Sequence, residues 1–209
     1  MTDSFILIGG GGHCKACIDV IESTEHTIAG ILDRDAGGNK VFNYSILGGD
    51  DEIEKLIARG HKFLITIGQI KSAASRVHLY EKIIGLNGKL AIVFAASALI
   101  SKYATVGKGT IVMHHAVINA SATVGNNCII NTKALIEHDC FIDDHTHIST
   151  GVIINGHCHI GKRVFVGSNS VVIPGIKIGD EVIVGAGSVV ISDITDAGIY
   201  AGNPIHKIS

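Results

Sequence analysis

The stretch Ile136-Glu137-His138-Asp139-Cys140-Phe141-Ile142-Asp143-Asp144-His145-Thr146-His147-Ile148 holds two turns of a six-residue pattern. Ile136, Ile142 and Ile148 are its fixed points, and Cys140 and Thr146 are the small residues four places on. Followed outward, the pattern does not break: each of the 16 positions at six-residue steps from Ile100 to Val190 is Ile or Val. A strand alternates with every second residue and a helix repeats at about 3.6, so a period of six requires a coil with one flat side per repeat. The aliphatic and the small residue point inward, and the Gly-, Asn- and Asp-rich positions after the aliphatic are expected to turn the corners. Three hexads close one triangular coil, so the series makes about five stacked coils.

Composition fits such a prism. The chain has 209 residues, 46% hydrophobic but only 5% aromatic and without Trp, which suits a core of Ile, Val and Ala. A net charge of −2 gives no footprint for nucleic acid or an anionic membrane. Cys128, Cys140 and Cys158 occupy the small inward slot, where a free thiol serves as a small hydrophobe, so no disulfide framework is expected. Cys14-Lys15-Ala16-Cys17 has redox-motif spacing, but its place at the start of a helix favours packing. Without a signal-peptide pattern or a run long enough to span a bilayer, the expected location is cytoplasmic, with no membrane insertion.

The first half is a different object. Phe5–Ile8 reads as a buried strand, Gly9-Gly10-Gly11-Gly12-His13 as a loop, and Lys15–Ser23 as a helix. Strands at Ile28–Leu32, Phe63–Ile67 and Leu90–Phe94 alternate with helices at Asp50–Arg59 and Ser72–Ile84, which predicts a parallel sheet. The expected domains are therefore 1–96, a small α/β Rossmann-like unit, and 97–209, the repeat. A Gly-rich loop at a helix N-terminus favours an anion, and Asp33, closing the second strand, suits a ribose or sugar hydroxyl. The unit is too short for two mononucleotide halves and lacks the full dinucleotide fingerprint, so one nucleotide is expected rather than NAD. The alternative is that the glycines only permit a tight turn.

Of twelve histidines, seven lie between His114 and His159. His138, followed by Asp139, stands outside the prism; an imidazole beside a carboxylate has its tautomer fixed and its basicity raised, as a general base requires. A solvated corner pair is the plain alternative. Gly156, one coil on, should lie over His138, where its N–H could hold an oxyanion. His147, half a coil round, should face away from His138 and meet it only across a subunit contact, which predicts a cyclic homotrimer with sites between chains. The pairs His145/His147 and His157/His159 have spacing that can bind zinc, though surface polarity accounts for them as well, and no metal is expected.

Together, the Gly9–Lys15 loop, Asp33, Thr66-Ile67-Gly68, the unbroken hexads, Asn131-Thr132, Ile136–Cys140, His147 and the ending Ala201-Gly202-Asn203-Pro204 resemble the bacterial left-handed β-helix sugar acyltransferases of the sialic-acid O-acetyltransferase and UDP-N-acetylbacillosamine pathway type. The resemblance spans the chain and implies a left-handed parallel β-helix that transfers acetyl from acetyl-CoA to the 4-amino group of a UDP-linked 4-amino-4,6-dideoxy sugar. By the same resemblance His138 is the base, Asp139 tunes it, and Asn131 lines the same pocket. His147 and Gly156 would meet the thioester end of acetyl-CoA, and Ser168 and Ala186 its pantetheine arm. Gly11, Gly12 and His13 would hold the phosphates, and Asp33 with Arg34 the uridine or ribose. The family often has Glu after the catalytic His; Asp139 is one methylene shorter, so a longer reach to the imidazole is expected. The alternatives are O-acetylation of sialic acid, a zinc-dependent lyase of the carbonic-anhydrase kind, and a non-catalytic nucleotide-binding scaffold.

Overall fold

A computed structural model of the chain describes residues 3–34 and 40–209. Its first half contains strands β1 (Ser4–Ile8), β2 (Thr27–Leu32), β3 (Lys40–Val41), β4 (Tyr44–Gly48), β5 (Lys62–Ile65) and β6 (Lys89–Leu90), with helices α1 (Gly12–Glu22), α2 (Ile53–Ala58) and α3 (Ala74–Gly85). The sheet order is β3-β4-β2-β1-β5-β6, parallel apart from the β3/β4 hairpin. That hairpin was not legible in the sequence: its turn uses Phe42 at φ 50°, where a Gly or Asn would have signalled it.

The expected strand Leu90–Phe94 is two strands. Lys89–Leu90 closes the first sheet, while Val93–Phe94 pairs in parallel with Ile111–Val112 and starts the prism one hexad before the Ile/Val series begins. Phe94, at the open end of the coil, holds the inward position without an aliphatic side chain, which hid it from the pattern.

From there the chain forms a left-handed parallel β-helix of three sheets, with eight, six and five strands. Strand partners are 18 residues apart, as Ile111 with Ile129 or Leu135 with Ile153. The aliphatic series from Val112 to Val190 is buried and forms one core. The small slot proves partly polar: Thr110, Thr146 and Ser170 each donate a hydroxyl to the carbonyl fifteen residues ahead at 2.8–2.9 Å. The thiols of Cys128, Cys140 and Cys158 do the same at 3.0–3.2 Å, so these cysteines are donors as well as hydrophobes.

The residue just after the aliphatic does not turn the corners as expected; where glycine does turn them, at Gly109, Gly151, Gly175 and Gly187, it stands three places on, at φ 67° to 78°. The left-handed residue stands three places after the aliphatic, and at Ser121, Asn127, Lys133, Asp139, His145, His157 and Arg163 it carries a side chain at φ 53° to 62°. Its N–H donates to the carbonyl of the coil below, as Asp139 to Ala120 and His157 to His138, which offsets the strain of about 1–2 kcal/mol. The glycines just after the aliphatic have ordinary φ and serve close approach instead: a Cβ on Gly107 would stand 2.6 Å from the backbone of Gly125.

The two halves share a core. Helix α1 buries Cys14, Cys17, Ile18, Val20 and Ile21, and the same cluster takes in Val93, Ile111 and Ile129 from the prism's first face. Burial pushes the Cys14 and Cys17 thiols up, away from the reactive thiolate, so this spacing is packing and not a redox motif. Helices α2 and α3 cover the sheet's other side.

Candidate active site

Three corners run along the prism, and the predicted residues divide between two of them and the first domain. A pocket of about 870 Å³ opens where β1 gives way to α1, lined by Gly11, Gly12, His13, Asp33, Arg34, Thr66 and His78 among others. Gly9 must be Gly, with φ 102° and a Cβ position 2.5 Å from the Ile67 side chain. At Gly11 and Gly12 a Cβ would enter open space, so their bareness serves whatever enters the pocket and not the turn. The Gly10 N–H donates to the Asp33 carboxylate, which braces the loop from the end of β2. Arg34 is held at the pocket edge by Asp50. No acidic side chain stands in the first turn of α1, leaving its N-terminal N–H groups to favour an anion.

Below this pocket, on the prism's first face, His147 is 6% exposed. Its Nδ1 donates to the Gln69 carbonyl at 2.7 Å, so Nε2 is the acceptor and takes the Asn131 amide N–H at 3.1 Å. Asn131 cannot turn, because its oxygen accepts the Thr132 N–H at 2.8 Å. Burial, opposed by the Gln69 carbonyl and aided by the Arg76 cation, brings His147 down to about 4. His13, 6.4 Å away between ring centres, is brought down to about 3 by burial, with Arg76 and His147 adding to the shift. Both imidazoles are neutral near pH 7.

Arg76, on α3, is fully buried and joins the halves. It donates to the carbonyls of Ile65, Ile67 and Asn127 and to the Asn127 side chain at 2.8–3.0 Å. Neither Arg76 nor Gln69 carries a motif in the sequence; their partners on the prism lie 51 to 95 residues away.

His138 sits at the corner between the second and third faces. Its Nδ1 donates to Asp139 Oδ2 at 2.8 Å, so the shorter acid reaches the imidazole after all, and Nε2 is left with the lone pair. Gly156 lies against the ring as the spacing predicted: a Cβ there would stand 2.7 Å from Cε1. Within one chain Asn131 bonds His147 and stands on a different corner from His138. Ser168 and Ala186 stand on Asn131's corner, between the first and second faces, and Ser168 bonds Ser149 at 2.9 Å. The second face between the two corners is an apolar ladder of Leu99, Val117, Leu135, Ile153, Val171 and Val189, with Leu99 65% exposed.

Comparison with known proteins gives this layout its context. Residues 4–83 match the PglD N-terminal domain, and residues 157–192 match the bacterial transferase hexapeptide (six repeats). None of the curated proteins matches the chain. Among solved structures, PerB from Caulobacter crescentus in complex with CoA and GDP-perosamine is 31% identical with a TM-score of 0.91, over 100% of this chain and 99% of that one. The chain belongs to the left-handed β-helix sugar acetyltransferases. The acetyltransferase domain of PglB from Neisseria gonorrhoeae, in complex with acetyl coenzyme A, is 27% identical with a TM-score of 0.93 over 100% of both chains. WeeI from Acinetobacter baumannii, at 20% identity and a TM-score of 0.86, shares the fold over 99% of this chain and 100% of that one. This acyltransferase therefore has a glycine-lined pocket in one domain and a histidine–aspartate pair on the prism.

Proposed function

We propose that the chain transfers acetyl from acetyl-CoA to the 4-amino group of a UDP-linked 4-amino-4,6-dideoxy sugar. The observation that carries this is the open space over Gly11 and Gly12 at the N-terminus of α1, where bare backbone N–H groups favour an anion, close to two neutral histidines. His138 Nε2 takes a proton from the amine as its nitrogen attacks the thioester carbonyl; the N–C bond forms, the C–S bond breaks and the proton passes to the CoA thiolate. Asp139 holds the tautomer and the Gly156 amide meets the developing oxyanion. Ser168 and Ala186 flank the pantetheine arm. The reaction takes place in the cytoplasm, where acetyl-CoA is available.

The working unit in this reading is a homotrimer. Packing across the apolar second face brings one chain's His138 corner against its neighbour's Asn131 corner, and with it the neighbour's sugar pocket. Such a contact also buries the ladder that a single chain leaves exposed.

The test is acetyl transfer to a panel of UDP- and GDP-linked amino sugars and free sialic acid. UDP-linked 4-amino sugars should be acetylated on nitrogen; turnover of GDP-linked sugars alone would overturn the choice of base, and turnover of sialic acid alone the choice of acceptor. Gly12→Val should raise the KM for the sugar about tenfold or more and leave that of acetyl-CoA unchanged, because a Cβ at this position meets only the open space of the pocket. Equal effects on both would make the loop a mere turn.

A further inference from the structure

His157 is not used in the acetyl transfer described above, yet it stands at the reacting corner. It is one coil above Asp139, and both are left-handed corner residues, at φ 60° and 58°. Its N–H donates to the His138 carbonyl at 3.1 Å, which ties the two levels of the prism together. Its ring meets that of His138 edge-on, with centroids 5.1 Å apart, and its Nε2 lies 3.7 Å from Asp139 Oδ2. One ligand atom from each of His138, Asp139 and His157 falls within 4.8 Å of the others.

We infer that these three side chains form a site for Zn²⁺ or a similar divalent transition metal, whose occupation switches the enzyme off. Two imidazoles and a carboxylate are the donors zinc prefers, and bonds of about 2.0–2.2 Å place neighbouring ligand atoms of a tetrahedron about 3.4 Å apart. The separations of 2.8 Å from Asp139 to His138 and 3.7 Å to His157 bracket that value, so small side-chain rotations close the set. The backbone does not have to move, because both levels are fixed by coil-to-coil hydrogen bonds. In a single chain the three side chains have 55%, 44% and 67% of their surfaces open; in the trimer the cleft that admits the substrates to this corner admits the ion, and its fourth position is left to water. Zinc held at His138 Nδ1 displaces the proton that Asp139 accepts and leaves the ring's remaining proton on Nε2, which removes the lone pair the transfer uses. The ion is thus an inhibitor, distinct from the catalytic zinc of a lyase.

The inhibitory half of this inference rests on His138 as the base; the binding half does not. Titration of the metal-stripped, full-length protein with ZnCl₂, followed calorimetrically, should show one site per chain. His157→Ala should weaken it at least about tenfold, the least that loss of even an outer-shell partner costs. His159→Ala, on the neighbouring face, should leave it intact. Undiminished binding by the His157 variant, or weakening by the His159 variant instead, would overturn the site. In the transfer assay, read by acetylated sugar because the free CoA thiol itself binds zinc, Zn²⁺ should inhibit the parent enzyme and a chelator should restore it. His157→Ala should turn over normally and resist zinc at least tenfold better. Zinc binding at His157 without inhibition would remove the switch and the role of His138 while leaving the site standing.

Discussion

The sugar nitrogen attacks as the neutral amine and sheds one proton as the N–C bond forms, so the group that takes that proton must present a free lone pair to it. His138 does so at Nε2 because Asp139 accepts its Nδ1–H. His138→Ala should lower kcat by about 10²–10⁴ and leave nucleotide-sugar affinity unchanged, since that affinity belongs to the other domain. Asp139→Asn should cost less, as it removes the orientation and not the imidazole. Steady-state kinetics decide; a more damaging Asp139 change would displace His138 as the base. His147 offers a second test. An unfolded histidine takes a proton near pH 6.5, whereas His147 in the fold resists until about 4. Between these the unfolded chain binds more protons, so stability rises with pH: the contribution is complete above about pH 6.5 and up to about 3 kcal/mol is lost as pH falls to about 4. Denaturant titrations across that range should show a shallower slope for His147→Gln, and an unchanged slope would refute the buried neutral imidazole. The Gly156–His138 contact was legible because a strict coil converts a separation of 18 in sequence into adjacency in space. The pairing of His147 with Asn131 and Gln69 was not, because it depends on where a whole domain docks.

At the scale of elements, that docking turns on α3. Arg76 brings a cation into the interior with no carboxylate beside it among the described residues, and burial lowers it to about 10. Its value lies in what it satisfies: carbonyls on the first domain's loop and on the Asn127 corner of the prism. Arg76→Met keeps the volume but strands those acceptors, and should cost about 3–5 kcal/mol in unfolding free energy, measured by denaturant midpoint. A loss below about 1 kcal/mol would show that water replaces the guanidinium. The sheet and helices of the first domain followed from alternation, but this arginine did not, since all its partners but the Asn127 side chain are backbone oxygens, which leave no trace in residue type. The hairpin of β3 and β4 escaped for a related reason: its turn departs from the residues that usually mark one.

For the molecule as a whole, the three prism faces have different fates. The first is covered by the amino-terminal domain, the third presents Thr105, Thr123, His159 and Lys177, and the second presents the apolar ladder. Leu135→Asp places a charge in that ladder and should convert the proposed trimer to an inactive, folded monomer in sedimentation; an active monomer would refute the composite site. The hexads made the prism legible from sequence, but which face would be covered was not, because all three share the same inward pattern and differ only in the outward residue. The parallel stacking has one more consequence. Levels of the prism are separated by about 4.8 Å, so a long ligand lying along a corner can be gripped only at whole multiples of that distance. From Asn131 to Ala186 is three such steps, about 14 Å. Reach is therefore set by counting coils: adding or removing 18 residues would lengthen or shorten the grip by one rung, while each grip point kept its own chemistry.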